Sequence, residues 1–259
     1  MSHNHYVDTL NFKLLRVLRN GLLLILMCLC NLVFATDVDD YAEQRAALIE
    51  EITDDVRATA RYLGRRELNP SVLTALGQVE RHKFVPWIDR YRAYRNQPLP
   101  IGHGQTISQP YIVAIMTDLI NPSAEHRVLE VGTGSGYQAA VLAELVGQVY
   151  SIEIIEPLGR AAGKRLQALG YDNVTTRIGD GYYGWPEQAP FDAIVVTAAA
   201  SHVPPPLIEQ LKPGGHMIIP VGSRFLTQQL VLITKNEDGT LQTRQLLPVR
   251  FVPLTGKHD

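Results

Sequence analysis

The sequence predicts an α/β protein built on a doubly wound, mainly parallel sheet. Three observations predict it. From residue 128 onward, short apolar strands alternate with helical stretches. The first of these strands runs directly into a glycine loop and then a helix. The second ends on an acid at the spacing that a strand-helix-strand unit sets. A helical region precedes the sheet, and a leader precedes that.

Residues 1–35 read as the leader. Lys13, Arg16 and Arg19 stand before an apolar run from Gly21 to Ala35. The run falls short of the roughly 20 residues of a comfortable span. A basic flank, a short apolar centre and a small residue at Ala35 are the pattern of a signal peptide cleaved before Thr36. The run argues for export or an inner-membrane anchor, with transient membrane contact. A start at Met27 would remove the basic flank and shorten the run, leaving the chain in the cytoplasm; the sequence keeps both open. Cys28 and Cys30 are the two cysteines and both lie here. Their spacing matches no zinc or redox motif. The rest of the chain is cysteine-free, which excludes disulfides and cysteine catalysis there.

Residues 36–98 read as a helical cap subdomain. Asp40 to Leu63 is polar and helix-prone, with Leu48, Ile49, Ile52 and Val56 on one side. Asn69 caps a second helix, Pro70 opens it, and it runs to about Glu80.

Residues 99–259 read as the main domain. Leu99 to Pro110 is rich in glycine and small hydroxyls and lacks a regular period. Pro110 suits the first position of a helix to Ile120, so Ser108 lies just outside its start. Backbone N–H groups and the dipole there favour an anion. Thr106 and Ser108 either serve that anion or satisfy turn and cap hydrogen bonds; spacing leaves both open.

Val128 to Val131 is the first strand of the alternating series, followed by Gly132, Gly134 and Gly136. A dinucleotide fingerprint would place its third glycine one residue later, where Tyr137 stands. The tighter spacing, with Glu130 just before it, points to S-adenosylmethionine. A helix follows from Tyr137 to Val146, then a strand from Gln148 to Glu153. Glu153 lies 21 residues after Gly132. That separation sets a carboxylate beside a ribose diol; a solvated strand end is the other reading. Asn173 to Ile178 is the third strand, closed by Gly179-Asp180-Gly181, whose acid can accept from an adenine amino group. Phe191 to Thr197 and His216 to Val221 are the fourth and fifth, with Lys212-Pro213-Gly214-Gly215 as the turn before the fifth. His202 falls in the loop after the fourth strand, on the ligand side, where it can touch a substrate. Pro204 to Pro206 start the next helix.

Composition narrows the function. A net charge of −2 argues against a nucleic-acid partner held through phosphates. No phosphate-binding Gly-x-x-x-x-Gly-Lys-Ser/Thr loop occurs. The histidines show no metal-ligand spacing, so no metal is expected.

Ile101 to Ala114, together with Val128 to Tyr137, closely resembles the protein-L-isoaspartate O-methyltransferases. Arg81 to Pro86, Gly179 to Gly181, Ala189 to Ile194, Leu211 to Gly215 and Arg250 to Leu254 add to the match, in order. The resemblance implies a seven-stranded class I S-adenosylmethionine-dependent methyltransferase fold, with a variant strand order near its C-terminal end. It implies methyl transfer to the α-carboxylate of L-isoaspartyl residues, with damaged proteins and peptides as partners; a monomer is expected, though nothing in the sequence sets the oligomeric state. By the same resemblance Ser108 is the active-site serine; Thr106 and His202 are read as substrate-side residues from their loop positions alone. Gly132, Gly134 and Gly136 form the cofactor loop, Glu153 is the ribose acid, Asp180 and Gly181 contact adenine, and Thr255 lies near the cofactor. The leader departs from the family pattern. Two alternatives stand beside this reading: a methyltransferase of the same fold acting on another carboxylate or a small molecule, and a non-catalytic module binding cofactor or peptide.

Overall fold

A computed structural model describes residues 41–223 and 226–256. The leader, both cysteines and Met27 lie outside them. The described residues from Glu43 onward form one compact unit.

Helix α1 (Ala42–Ala58) buries Leu48, Ile52 and Val56, a stripe at four-residue spacing. The short α2 (Ala60–Leu63) ends at Gly64, whose left-handed backbone turns its N–H onto the Ala60 carbonyl. Helix α3 (Pro70–Gln78) starts as its sequence dictates: Asn69 Oδ1 accepts from Ser71 N–H at 3.0 Å. Buried Asp118 fixes this corner, accepting from Asn69 N–H at 2.7 Å and pairing with Arg65.

Residues 99–107, without a period in sequence, form an antiparallel hairpin of β1 (Leu99–Gly102) and β2 (Gln105–Ile107). Its turn holds Gly102, His103 and Gly104 at positive φ. Strands this short give alternation too few positions to register. Helix α4 (Pro110–Leu119) is buried at every position. It packs against α3 and against α5 (Tyr137–Ala143). The α5 helix stops short of the expected Val146 because the Leu142 carbonyl takes both Leu145 and Val146 N–H, closing a turn.

Seven strands make the main sheet: β3 (Arg127–Val131), β4 (Gln148–Glu153), β5 (Val174–Ile178), β6 (Phe191–Val196), β7 (Leu211–Val221), β8 (Gln228–Lys235) and β9 (Leu241–Val249). Their order is β5-β4-β3-β6-β7-β8-β9. Strands β3 to β7 pair parallel; β8 and β9 join antiparallel. Helices α6 (Glu156–Ala168) and α7 (Pro205–Gln210) link the parallel strands. Leu129, Val131, Ile152, Ile194, Val196 and Met217 form the sheet's core, each buried. Each such side chain contributes about 1.5–3 kcal/mol. The Lys212-Pro213-Gly214-Gly215 stretch is a correction: it lies within β7, not before it. The register against β6 slips between the pairs Phe191–Leu211 and Ala193–His216, so these residues form an irregularity in the strand.

Candidate active site

The winding direction reverses at β3, whose neighbours are β4 on one side and β6 on the other. A crevice must open beyond the carboxyl ends of strands at such a point. A cavity open to solvent lies there.

The glycine loop forms one wall. Gly132 sits at φ 101° and donates to the Ile152 carbonyl at 2.8 Å. The Thr197 hydroxyl donates to the Gly132 carbonyl at 2.7 Å. A Cβ at Gly132 would collide with that hydroxyl. Gly134 N–H donates to Glu153 Oε2 at 2.7 Å, and Ile155 N–H donates to Oε1 at 2.9 Å. Both oxygens of Glu153 are thereby fixed, and each keeps a lone pair for a ligand hydroxyl.

Glu130 forms a second polar feature. It is 0% exposed, and its Oε2 accepts from the Ser151 hydroxyl, which also bonds Thr133 Oγ1 at 2.6 Å. Burial pushes its carboxyl from 4.5 up to about 8, against the Ser151 hydrogen bond and with the Glu153 charge adding to the rise. Glu130 Oε1 has no hydrogen-bond partner among the described residues, and neither has Gln138 Oε1. Both residues line the cavity. These two oxygens leave hydrogen-bonding capacity at the cavity wall that a ligand donor would satisfy. S-Adenosylmethionine fits this set. Its ammonium group suits the free acceptors, its ribose diol suits Glu153, and the glycine loop lets backbone approach it closely.

A second, solvent-open cavity adjoins the first. Asp55, Thr59, Pro98 and Tyr111 line it together with the chain from Leu247 to Val252. Thr106, Ser108, Thr197 and Val252 belong to both linings. The expected anion site at the start of α4 is narrower than the sequence suggests. Pro110 has no N–H, and Tyr111 N–H is given to Asn96 Oδ1 at 3.0 Å. Ser108, just after β2, and Thr106 within it bring hydroxyl groups to the lining shared by the two cavities.

The structure brings most of the expected residues together. Thr106, Ser108, Gly132, Gly134, Glu153, Gly181 and Thr255 all line the first cavity. Gly136 lies behind it, at φ 88°, where a Cβ would press on Leu166. Asp180 is outside the lining and accepts from Tyr182 N–H at 3.0 Å. His202 is exposed, outside both linings, and bonded to Tyr182 Oη at 3.1 Å and Ser201 Oγ at 3.0 Å. Sequence reading missed Gln138, Thr197 and Val252. Gln138 carries a weak signal, a polar residue in the first turn of an otherwise apolar helix; the other two carry none.

The model of the family described as Protein-L-isoaspartate(D-aspartate) O-methyltransferase matches residues 60–259. The chain belongs to this family. It is 60% identical over 237 residues to a protein-L-isoaspartate O-methyltransferase 2 of Syntrophobacter fumaroxidans, covering 92% of this chain and 96% of that protein. Another protein-L-isoaspartate O-methyltransferase 2, from Polaromonas sp., is 65% identical over 210 residues, covering 81% of this chain and 100% of the relative. A crystal structure from Plasmodium falciparum, titled a putative protein-L-isoaspartate O-methyltransferase in complex with S-adenosyl-L-homocysteine, aligns with a TM-score of 0.64 at 26% identity. The alignment covers 79% of this chain and 97% of that one. As a member of the protein-L-isoaspartate(D-aspartate) O-methyltransferase family, the chain is a methyltransferase of the class I fold, and its methyl donor is S-adenosylmethionine.

Proposed function

We propose that this enzyme moves a methyl group from S-adenosylmethionine to the α-carboxylate of L-isoaspartyl residues in damaged proteins and peptides. The observation that carries the reading is the junction of two cavities at Ser108, one fitted to the donor and one open enough for a peptide.

When bound, S-adenosylmethionine supplies an electrophilic methyl on a sulfonium centre. Gly132, Gly134 and Gly136 would form the loop that holds it, Glu153 would take the ribose, Gly181 with the neighbouring Asp180 would border the adenine, and Thr255 would stand nearby. A carboxylate, with a reference pKa near 4, is ionised at neutral pH, so the chain needs no general base. Its task is alignment, which can lower a barrier by several kcal/mol. The Ser108 hydroxyl donates to one carboxylate oxygen and leaves the other free to attack. Thr106 borders the same junction. His202 would meet only a longer peptide reaching past Tyr182. An isoaspartyl backbone carries an extra methylene, so its free α-carboxylate stands where an ordinary chain has a peptide bond. The following backbone nitrogen then attacks the ester carbonyl and expels methanol to give a succinimide, which water opens partly to normal aspartate, and this amounts to repair.

We read residues 36–98 as a cap over residues 99–259, the methyltransferase domain; Asp55, Thr59 and Pro98 on the peptide cavity support this. Transient membrane contact through the leader rests on its basic and apolar pattern. The function is tested with two peptides of one sequence, one isoaspartyl and one aspartyl. Methyl transfer to the first alone is expected. Equal transfer to both, or none, would overturn the reading.

A further inference from the structure

Arg81 opens a 3₁₀ turn at Arg81–Phe84 and is 0% exposed. Its Nε donates to the Ala93 carbonyl at 2.9 Å. Its Nη2 donates to the Gln97 carbonyl at 3.3 Å and to the Ser108 carbonyl at 2.8 Å. The guanidinium lies 4.7 Å from the centre of the Tyr137 ring. Burial lowers its pKa to about 10, which leaves it charged at neutral pH.

Among the described residues no carboxylate pairs with this cation. A buried, unpaired charge costs several kcal/mol, and an apolar side chain of similar volume would fill the space more cheaply. Packing alone does not account for an arginine here; its contacts do. One contact is the backbone of Ser108, at the junction of the two cavities. Another is Tyr137, which opens α5 directly after the glycine loop and lines the donor cavity. Phe84, from the same 3₁₀ turn, meets the Tyr137 ring edge-on at 5.6 Å. The planar guanidinium offers several fixed donors at once, which a lysine does not.

We propose that Arg81 is a positioning residue: it ties the Ser108 backbone to the Tyr137 ring and so fixes the serine hydroxyl relative to the donor loop. This rests on the reading of Ser108 as the residue that aims the carboxylate. Arg81 touches neither reactant and acts through Ser108.

The test is a double-mutant cycle between Arg81 and Ser108, with Arg81→Lys and Arg81→Gln each combined with Ser108→Ala. Transfer to an isoaspartyl peptide, affinity for S-adenosylhomocysteine and thermal unfolding are measured on each protein. Either Arg81 variant is expected to lower kcat about 10- to 100-fold, the scale of a misplaced group. Donor-product affinity should stay within about threefold, since the loop keeps its own hydrogen bonds. Added to Ser108→Ala, the Arg81 change should cost nothing more, because both act through one hydroxyl. Multiplicative losses, an unchanged kcat, or loss of folding in both Arg81 variants would overturn the proposal and leave Arg81 a structural residue. If Ser108→Ala alone keeps full activity, the role of Ser108 falls, and with it the basis of this inference.

Discussion

Gly134 N–H donates to Glu153 Oε2 over 2.7 Å, so the loop after β3 and the acid that ends β4 form a single unit. Ile155 N–H completes it on the other oxygen. Replacing Glu153 with alanine strips two backbone donors of their acceptor and removes the partner of the ribose. Affinity for S-adenosylhomocysteine should fall about 10- to 100-fold, the value of a buried charged hydrogen bond. An equilibrium titration checks this; affinity within twofold of wild type would remove Glu153 from the donor site.

Ser108→Ala removes the hydroxyl at the cavity junction and leaves the donor loop untouched. The peptide reaction should slow about tenfold or more in kcat. Binding of S-adenosylhomocysteine should not change. Steady-state kinetics alongside direct binding separate the two, and a loss confined to donor affinity would contradict the assignment.

Gly132→Ala meets two obstacles. Its φ of 101° disfavours any Cβ, and the Thr197 hydroxyl occupies the space the methyl needs. Strained backbone of this kind costs on the order of 1–3 kcal/mol. The variant should unfold at lower temperature and bind the donor product weakly. Adding Thr197→Ala should recover part of the loss by removing the clash, while the backbone cost remains. No recovery would show that contact with Thr197 is not what confines position 132.

Glu130 gives the fold a pH dependence. Its carboxyl titrates near 8 when folded, against 4.5 as an ordinary glutamate. Between those values the folded chain holds a proton that the unfolded chain has released. Its contribution is therefore most favourable below pH 4.5 and declines as pH rises towards 8, by a few kcal/mol in total. Glu130→Gln cannot ionise. It should be the more stable protein near pH 8, with the difference shrinking as pH falls towards 4.5. Denaturant unfolding across this range measures it. Parallel pH profiles would refute the account of Glu130.

The parts of the site legible in the sequence are those fixed by short spacing. The three glycines and Glu153 lie in one strand-helix-strand unit, so counting residues places them. Ser108 follows from Pro110, which marks a helix start. Arg81, Gln138, Thr197 and Val252 obey no such rule. Arg81 meets the Ser108 carbonyl across 27 residues, and Thr197 meets Gly132 across 65, through contacts that only the packed sheet creates. The β1–β2 hairpin was hidden because its strands are too short to show alternation. The irregularity in β7 was hidden because a Pro-Gly-Gly run reads as a turn wherever it falls.

The most direct test of the account is a crystal structure with S-adenosylhomocysteine and an isoaspartyl peptide bound together. The account predicts the donor product against Glu153 and the glycine loop, and the peptide's free carboxylate at the Ser108 hydroxyl, facing the sulfur across the junction. A peptide bound elsewhere, or a carboxylate turned away from Ser108 with the donor product in place, would contradict it.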